Sequence, residues 1–171
     1  MLGSTWAAPG EDLEKVGHVF SDVMNRGTKG ARFLGLHVES PYIDVEKRGA
    51  QKKDYIRLPD FEEFVKIYDA SGGNVKRITV APELSGAVEF IEKVADMAVE
   101  VSIGHTSGTY EDALKAIDAG ATSVTHLFNV MNSMHHREPG IVGAALTTDL
   151  KVELIADGIH LHPAILKLVA K

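Results

Sequence analysis

Apolar positions fall into short dense runs separated by longer stretches in which they recur every three or four residues. Leu13, Val16, Phe20, Val23 and Met24 share one stripe of a helix over residues 11–26, after Pro9-Gly10 and before Gly27 and Gly30. Residues 31–36 are a compact apolar run, read as a buried strand leading into His37-Val38-Glu39-Ser40-Pro41. Phe61, Phe64, Val65 and Tyr68 line a helix opened by Asp60 and stopped by Gly72-Gly73, and residues 75–81 read as a strand. Leu84, Ala87, Val88, Ile91, Val94, Ala95 and Ala98 fit one helical face. A strand ending at His105, a helix and a strand ending at His126 follow. That helix carries a capping-box pattern, Thr109 with Asp112, and a C-terminal Gly120. Residues 141–146 are a short apolar patch and residues 151–156 a last strand. Pro163 opens a helix with Ile165, Leu166, Leu168 and Val169.

Strand starts near 32, 76, 99, 121 and 151 are spaced as βα units are, which predicts an α/β fold of about five parallel strands. Periodicity alone leaves open whether the sheet is open or part of a closed barrel.

Composition narrows the partners. The chain has 171 residues, 44% apolar and 25% charged, enough for one domain with a core. A net charge of -6 without a long basic run argues against nucleic acid or an anionic membrane as main partner. No apolar run approaches the ~18 residues of a membrane span, and the first ten residues do not read as an export signal, so a cytoplasmic setting is expected. With no cysteine, a metal site here must be built from His and carboxylates.

A strand–helix–strand unit this short closes as a parallel crossover, so His105 and His126 are expected side by side at one end of the sheet. Glu39 ends another strand, and a His₂Glu set is a recognised catalytic zinc arrangement. The same donors suit iron, cobalt or manganese. His37 is read as pointing the other way from Glu39, and as structural. Asn129 and Arg137 suit hydroxyl or anion binding, and His160 follows the last strand on the same face. His135, His136 and His162 read as solvated, as do the charges of Asp44, Glu46, Lys47 and Arg48. The long polar excursion over residues 42–59 is expected to be functional. There is no phosphate-binding glycine loop and no nucleophile elbow.

Taken together, Gly-Leu-His-Val-Glu-Ser-Pro, Ala-Pro-Glu, Gly-His-Thr, Thr-His-Leu-Phe-Asn-Val-Met, Arg-Glu-Pro-Gly and Ala-Asp-Gly-Ile-His resemble, in order, the motifs of N-acetylglucosamine-6-phosphate deacetylases of the amidohydrolase superfamily. The resemblance runs from about residue 30 to the end. It implies a (β/α)₈ barrel, of which residues 1–171 would be a central part. The family's small β-sandwich, the remaining strands and the catalytic Asp would lie outside it, leaving the isolated chain with little or no activity. It implies Glu39, His105 and His126 as ligands of a divalent metal, zinc first. Ala50 and Gln51 would lie at the substrate amide, and Asn129, Val130, Arg137 and His160 at the sugar phosphate. It also implies a homodimer in which the arginine is lent across subunits. Three residues depart from the family pattern: Ser40 for Gly, Val130 for Ala, and Gln51 for a His that polarises the carbonyl. These departures keep two alternatives open: a related enzyme acting on another acetamido-sugar phosphate, and a non-catalytic partial barrel that binds sugar phosphates or assembles with the rest of the barrel.

Overall fold

The computed structural model describes residues 1–171 as six successive strand–helix units. They are β1 (Leu2–Ser4) and α1 (Gly10–Arg26), β2 (Gly35–Val38) and α2 (Phe61–Ala70), β3 (Val75–Val80) and α3 (Ala87–Asp96), β4 (Glu100–Ile103) and α4 (Tyr110–Asp118), β5 (Ala121–Val124) and α5 (Gly140–Thr147), and β6 (Lys151–Val152) and α6 (Pro163–Val169). The strands form one parallel sheet in the order β1-β2-β3-β4-β5-β6 and curl into a half-barrel. All strand C-termini therefore open at one rim, where α/β barrels carry their chemistry.

The sheet's two faces differ chemically. Leu36, Val38, Ile78, Val80, Val101, Ile103 and Val124 join Phe64, Ile67, Phe90, Ile91, Val94, Ala113 and Ala116 of the helices in one core cluster. The concave face is polar. His37 Nε2 lies 2.8 Å from Thr79 Oγ1, which is 2.8 Å from Thr125 Oγ1, which is 2.7 Å from Ser102 Oγ. This buried chain, one imidazole and three hydroxyls, runs from β2 to β3, to the residue just past β5, and to β4. One layer lower, Arg77 pairs with Glu100 at 2.8 Å and with Glu153. Residues on β3 and just past β6 would lie about 14 Å apart on a flat sheet with ~4.8 Å strand spacing. Curling brings them within side-chain reach.

Small residues let these layers close. A Cβ on Gly104 would sit 2.8 Å from Thr79 Cγ2 and 3.0 Å from Thr125 Cβ. Gly104→Ala is expected to cost about 1–3 kcal/mol, seen as a lower urea midpoint with an unchanged slope; an unshifted midpoint would mean the layer has slack.

The structure corrects several sequence expectations. There are six strands, not five: β1 was not foreseen, because three residues carry no periodicity and their partners, Gly35 to His37, lie more than thirty positions away. The strand expected over residues 31–36 lies at Gly35–Val38, and the last strand is two residues long. Its pairing continues only through Glu153, whose N–H donates to Val124 O and whose carbonyl accepts from Leu127 N–H. The apolar patch at 141–146 is helix α5, with six buried residues; a segment apolar all round shows no amphipathic period. His37 does not point away from Glu39. Two residues apart on a strand, both face the concave side, and burial lowers the His37 imidazole pKa to about 4, Glu39 opposing and Arg77 assisting. The His37 ring is engaged through Nε2 with Thr79 Oγ1. The capping box on α4 is present in full.

Candidate metal centre

Strict alternation from Ser102 and Gly104 would send His105 toward the helices, and from Ser123 and Thr125 it would send His126 there too. Both residues instead adopt left-handed backbone, φ 49° and 36°. A left-handed residue with a Cβ costs roughly 1–2 kcal/mol, and such strain persists where the surroundings over-determine it, most often at functional sites. The turn brings both imidazoles to the concave rim beside Glu39.

Three donor atoms converge there. His105 Nε2 is 3.1 Å from Glu39 Oε1 and 3.1 Å from His126 Nε2, and His126 Nε2 is 3.5 Å from Glu39 Oε1. Ligands about 2.05 Å from a tetrahedral zinc stand about 3.3 Å from one another, which matches the triangle seen. The protons point the same way. His105 Nδ1 is 2.9 Å from the Lys47 carbonyl, which can only accept, so the ring donates from Nδ1 and a neutral imidazole turns its Nε2 lone pair to Glu39 and His126. A lone pair, a second imidazole nitrogen and a carboxylate oxygen lack the protons to fill all three contacts; a divalent cation fills them at once. The residues fit the ion.

Burial alone would raise the Glu39 pKa, but the two imidazoles against it, with His37 behind, hold it well below the ordinary carboxylate range. The anion is the form a metal needs. Ser4 Oγ donates to the other oxygen, Oε2, at 3.1 Å. His126 Nδ1 is buried with no partner in the chain.

Around the triad lies an open cleft of about 390 Å³, within the ~300–1,000 Å³ range of small-molecule sites. Ala50, Gln51, Asn129, Val130 and His160 all line it, so five of the six residues expected at the substrate meet the three candidate ligands. Arg137 does not. It is exposed and lines a separate cleft with Ser107, Thr109 and Glu138. Gln51 is buried, and its Oε1 accepts from Ala7 N–H at 2.7 Å. A backbone N–H can only donate, so the amide orientation is fixed and the NH₂ group is what Gln51 has left to offer. His160 follows β6 in a turn held by Asp157, which accepts from the N–H groups of Ile159 and His160 and lies 2.7 Å from His160 Nδ1. Those two backbone N–H groups first, and then the ring, lower the Asp157 pKa to about 2. The ring's Nε2 is left unengaged.

Sequence reasoning missed Ser4, Trp6 and Ile155, which also line the cleft. It also mistook part of residues 44–48 for a solvated charge run. Asp44 caps a short 3₁₀ turn (Val45–Lys47) and contacts Ser107 Oγ, and the Lys47 carbonyl orients His105. Backbone carbonyls leave no mark in a sequence.

A parallel half-barrel sheet with three strand-end donors that could share one ion points to the class: the chain belongs to the amidohydrolase family, whose model matches residues 18–171. It is 44% identical over 133 residues to the N-acetylglucosamine-6-phosphate deacetylase of Lysinibacillus sphaericus, covering 77% of this chain and 34% of that protein. It is 35% identical over 168 residues to the N-acetylgalactosamine-6-phosphate deacetylase of Escherichia coli O157:H7, covering 98% of this chain and 45% of that one. A structure of the N-acetyl-D-glucosamine-6-phosphate deacetylase of Mycobacterium smegmatis, in complex with N-acetyl-D-glucosamine-6-phosphate, superposes with a TM-score of 0.92 at 37% identity, covering 99% of this chain and 44% of that one. The chain thus spans between a third and a half of the length of these relatives. No helix is long and apolar enough to cross a membrane.

Proposed function

We propose that the chain is the metal-binding part of a deacetylase that hydrolyses the acetamide of N-acetylglucosamine 6-phosphate. The observation that carries this reading is the convergence of Glu39, His105 and His126 in the cleft that also holds Gln51, Asn129 and His160. Glu39, His105 and His126 would hold the ion, zinc being our choice from the donor set. When bound, such an ion supplies Lewis acidity toward a carbonyl oxygen and toward water. In the reaction, water adds to the acetamide carbon, the C–N bond breaks, and the amine leaves with a proton. Gln51, with its oxygen tied to Ala7, presents N–H donors to the amide beside Ala50. Asn129, Val130 and His160 bound the sugar-phosphate side.

Residues 1–171 form one partial-barrel domain in this reading. Glu39 is the only carboxylate in the cleft, so no Asp or Glu is free to carry the proton to the amine, and turnover by this chain alone is expected to be slow or absent. Arg137, facing its own cleft, is assigned to a neighbouring subunit's phosphate in a homodimer. A phosphorylated sugar does not cross a bilayer unaided, which favours the cytoplasm, where the substrate would be held.

A second reading, the galactosamine epimer, is favoured by the E. coli O157:H7 relative, which aligns with 98% of the chain. Calorimetric titration of the zinc-loaded chain with both acetamido-sugar phosphates, and with the unphosphorylated sugars, separates the two. Binding of N-acetylglucosamine 6-phosphate, weakened without the phosphate, is expected. Tighter binding of the galactose epimer moves the assignment to that substrate, and binding of neither overturns the proposal.

A further inference from the structure

We propose that Ser4, on an edge strand that contributes no ligand, is a positioning residue that sets how the Glu39 carboxylate faces the ion. This rests on the metal-binding reading of the triad. Parallel pairing aligns Ser4 with His37 of β2, and the next N–H, that of Thr5, donates to the His37 carbonyl at 3.0 Å. The strand end is therefore held in register beside the segment that carries Glu39. From that position Ser4 Oγ reaches Glu39 Oε2 at 3.1 Å and is the only donor in the chain to that oxygen. The other oxygen, Oε1, is the one against His105 and His126.

The division of labour follows from the carboxylate's geometry. With one oxygen engaged by a hydroxyl, rotation about the last side-chain bond is restrained and a single oxygen is offered to the ion. Without the hydroxyl, the half-buried carboxylate is free to swing, or to present both oxygens. Groups that orient a ligand in this way typically contribute about 10–100-fold in metal affinity. Ser4 is exposed and its donor is neutral, so the low end of that range is expected.

The test uses the 171-residue chain as wild type, Ser4→Ala and Ser4→Thr, each titrated with zinc and with cobalt(II). Ser4→Ala is expected to bind zinc about tenfold more weakly and to change the cobalt visible spectrum. Ser4→Thr, which keeps a hydroxyl, is expected to restore both. Urea midpoints of the three metal-free chains are expected to coincide, which a purely structural role would not give. Wild-type affinity and spectrum in Ser4→Ala overturn the proposal, and so does failure of Ser4→Thr to restore them. If the wild type itself takes up neither metal, the reading of the triad falls first and takes this inference with it.

Discussion

Replacing His105 with Asn, or Glu39 with Gln, is expected to remove stoichiometric metal binding while leaving the fold in place. Structural zinc in a four-ligand site is held with roughly 10–16 kcal/mol, so each ligand accounts for about 3–4 kcal/mol, or two to three powers of ten in affinity. A chain with only three donors has less to spare. The fold should survive because His105 and Glu39 sit at strand ends, and the apolar cluster between sheet and helices includes neither. Relief of left-handed strain at position 105 would even favour the variant, since Asn tolerates that conformation better than most residues. Metal analysis after dialysis checks the first part, and urea unfolding of the metal-free proteins the second. Near-wild-type uptake in both variants would place the ion elsewhere.

Arg77→Ala should lower stability markedly, for a reason unconnected with the rim. Arg77 bridges Glu100 and Glu153 on the concave face with only 15% of its side chain exposed. Removing it leaves the Glu100 carboxylate, 24% exposed, without its ion-pair partner and with only the weaker influence of Lys151. Deleting one partner of a fully buried pair costs about 3–5 kcal/mol; the partial exposure of this network reduces that to about 2 kcal/mol. A double variant, Arg77→Ala with Glu100→Gln, should recover part of the loss, because the unpaired charge goes too.

The dependence on pH has a definite sign. Burial opposes ionisation of Glu100, yet its bond to Arg77 wins and holds its pKa below the ordinary 4.5. A carboxylate lowered in the folded state contributes stability above its unfolded pKa and loses it as pH falls through the folded one. Wild type should therefore lose part of the Arg77 contribution on acidification below about pH 4.5, whereas Arg77→Ala should not. A gap between the two unfolding curves that stays constant down to pH 3 would show that the ion pair contributes nothing.

The βα rhythm was legible because helix faces repeat every three to four residues and strand runs are dense. The candidate triad was legible for a related reason: in a parallel sheet every strand C-terminus shares one rim, so Glu39, His105 and His126 had to emerge together. What stayed hidden is what no local pattern encodes. β1 is three residues pairing with a partner more than thirty positions away, and α5 is apolar on every side. The left-handed turns at His105 and His126 break the alternation that periodicity relies on, and they are what bring the imidazoles inward. Ser4 and the Lys47 carbonyl act on Glu39 and His105 across long stretches of sequence, one through an ordinary serine and the other through the backbone.

X-ray absorption at the zinc edge of the zinc-loaded chain bears most directly on whether these three residues hold one ion. A first shell of nitrogen and oxygen at about 2.0–2.2 Å, with outer-shell scattering from two imidazoles, is expected, and its imidazole signal should fall by half in His126→Asn. A shell without imidazole scattering, or one unchanged by that substitution, would contradict it.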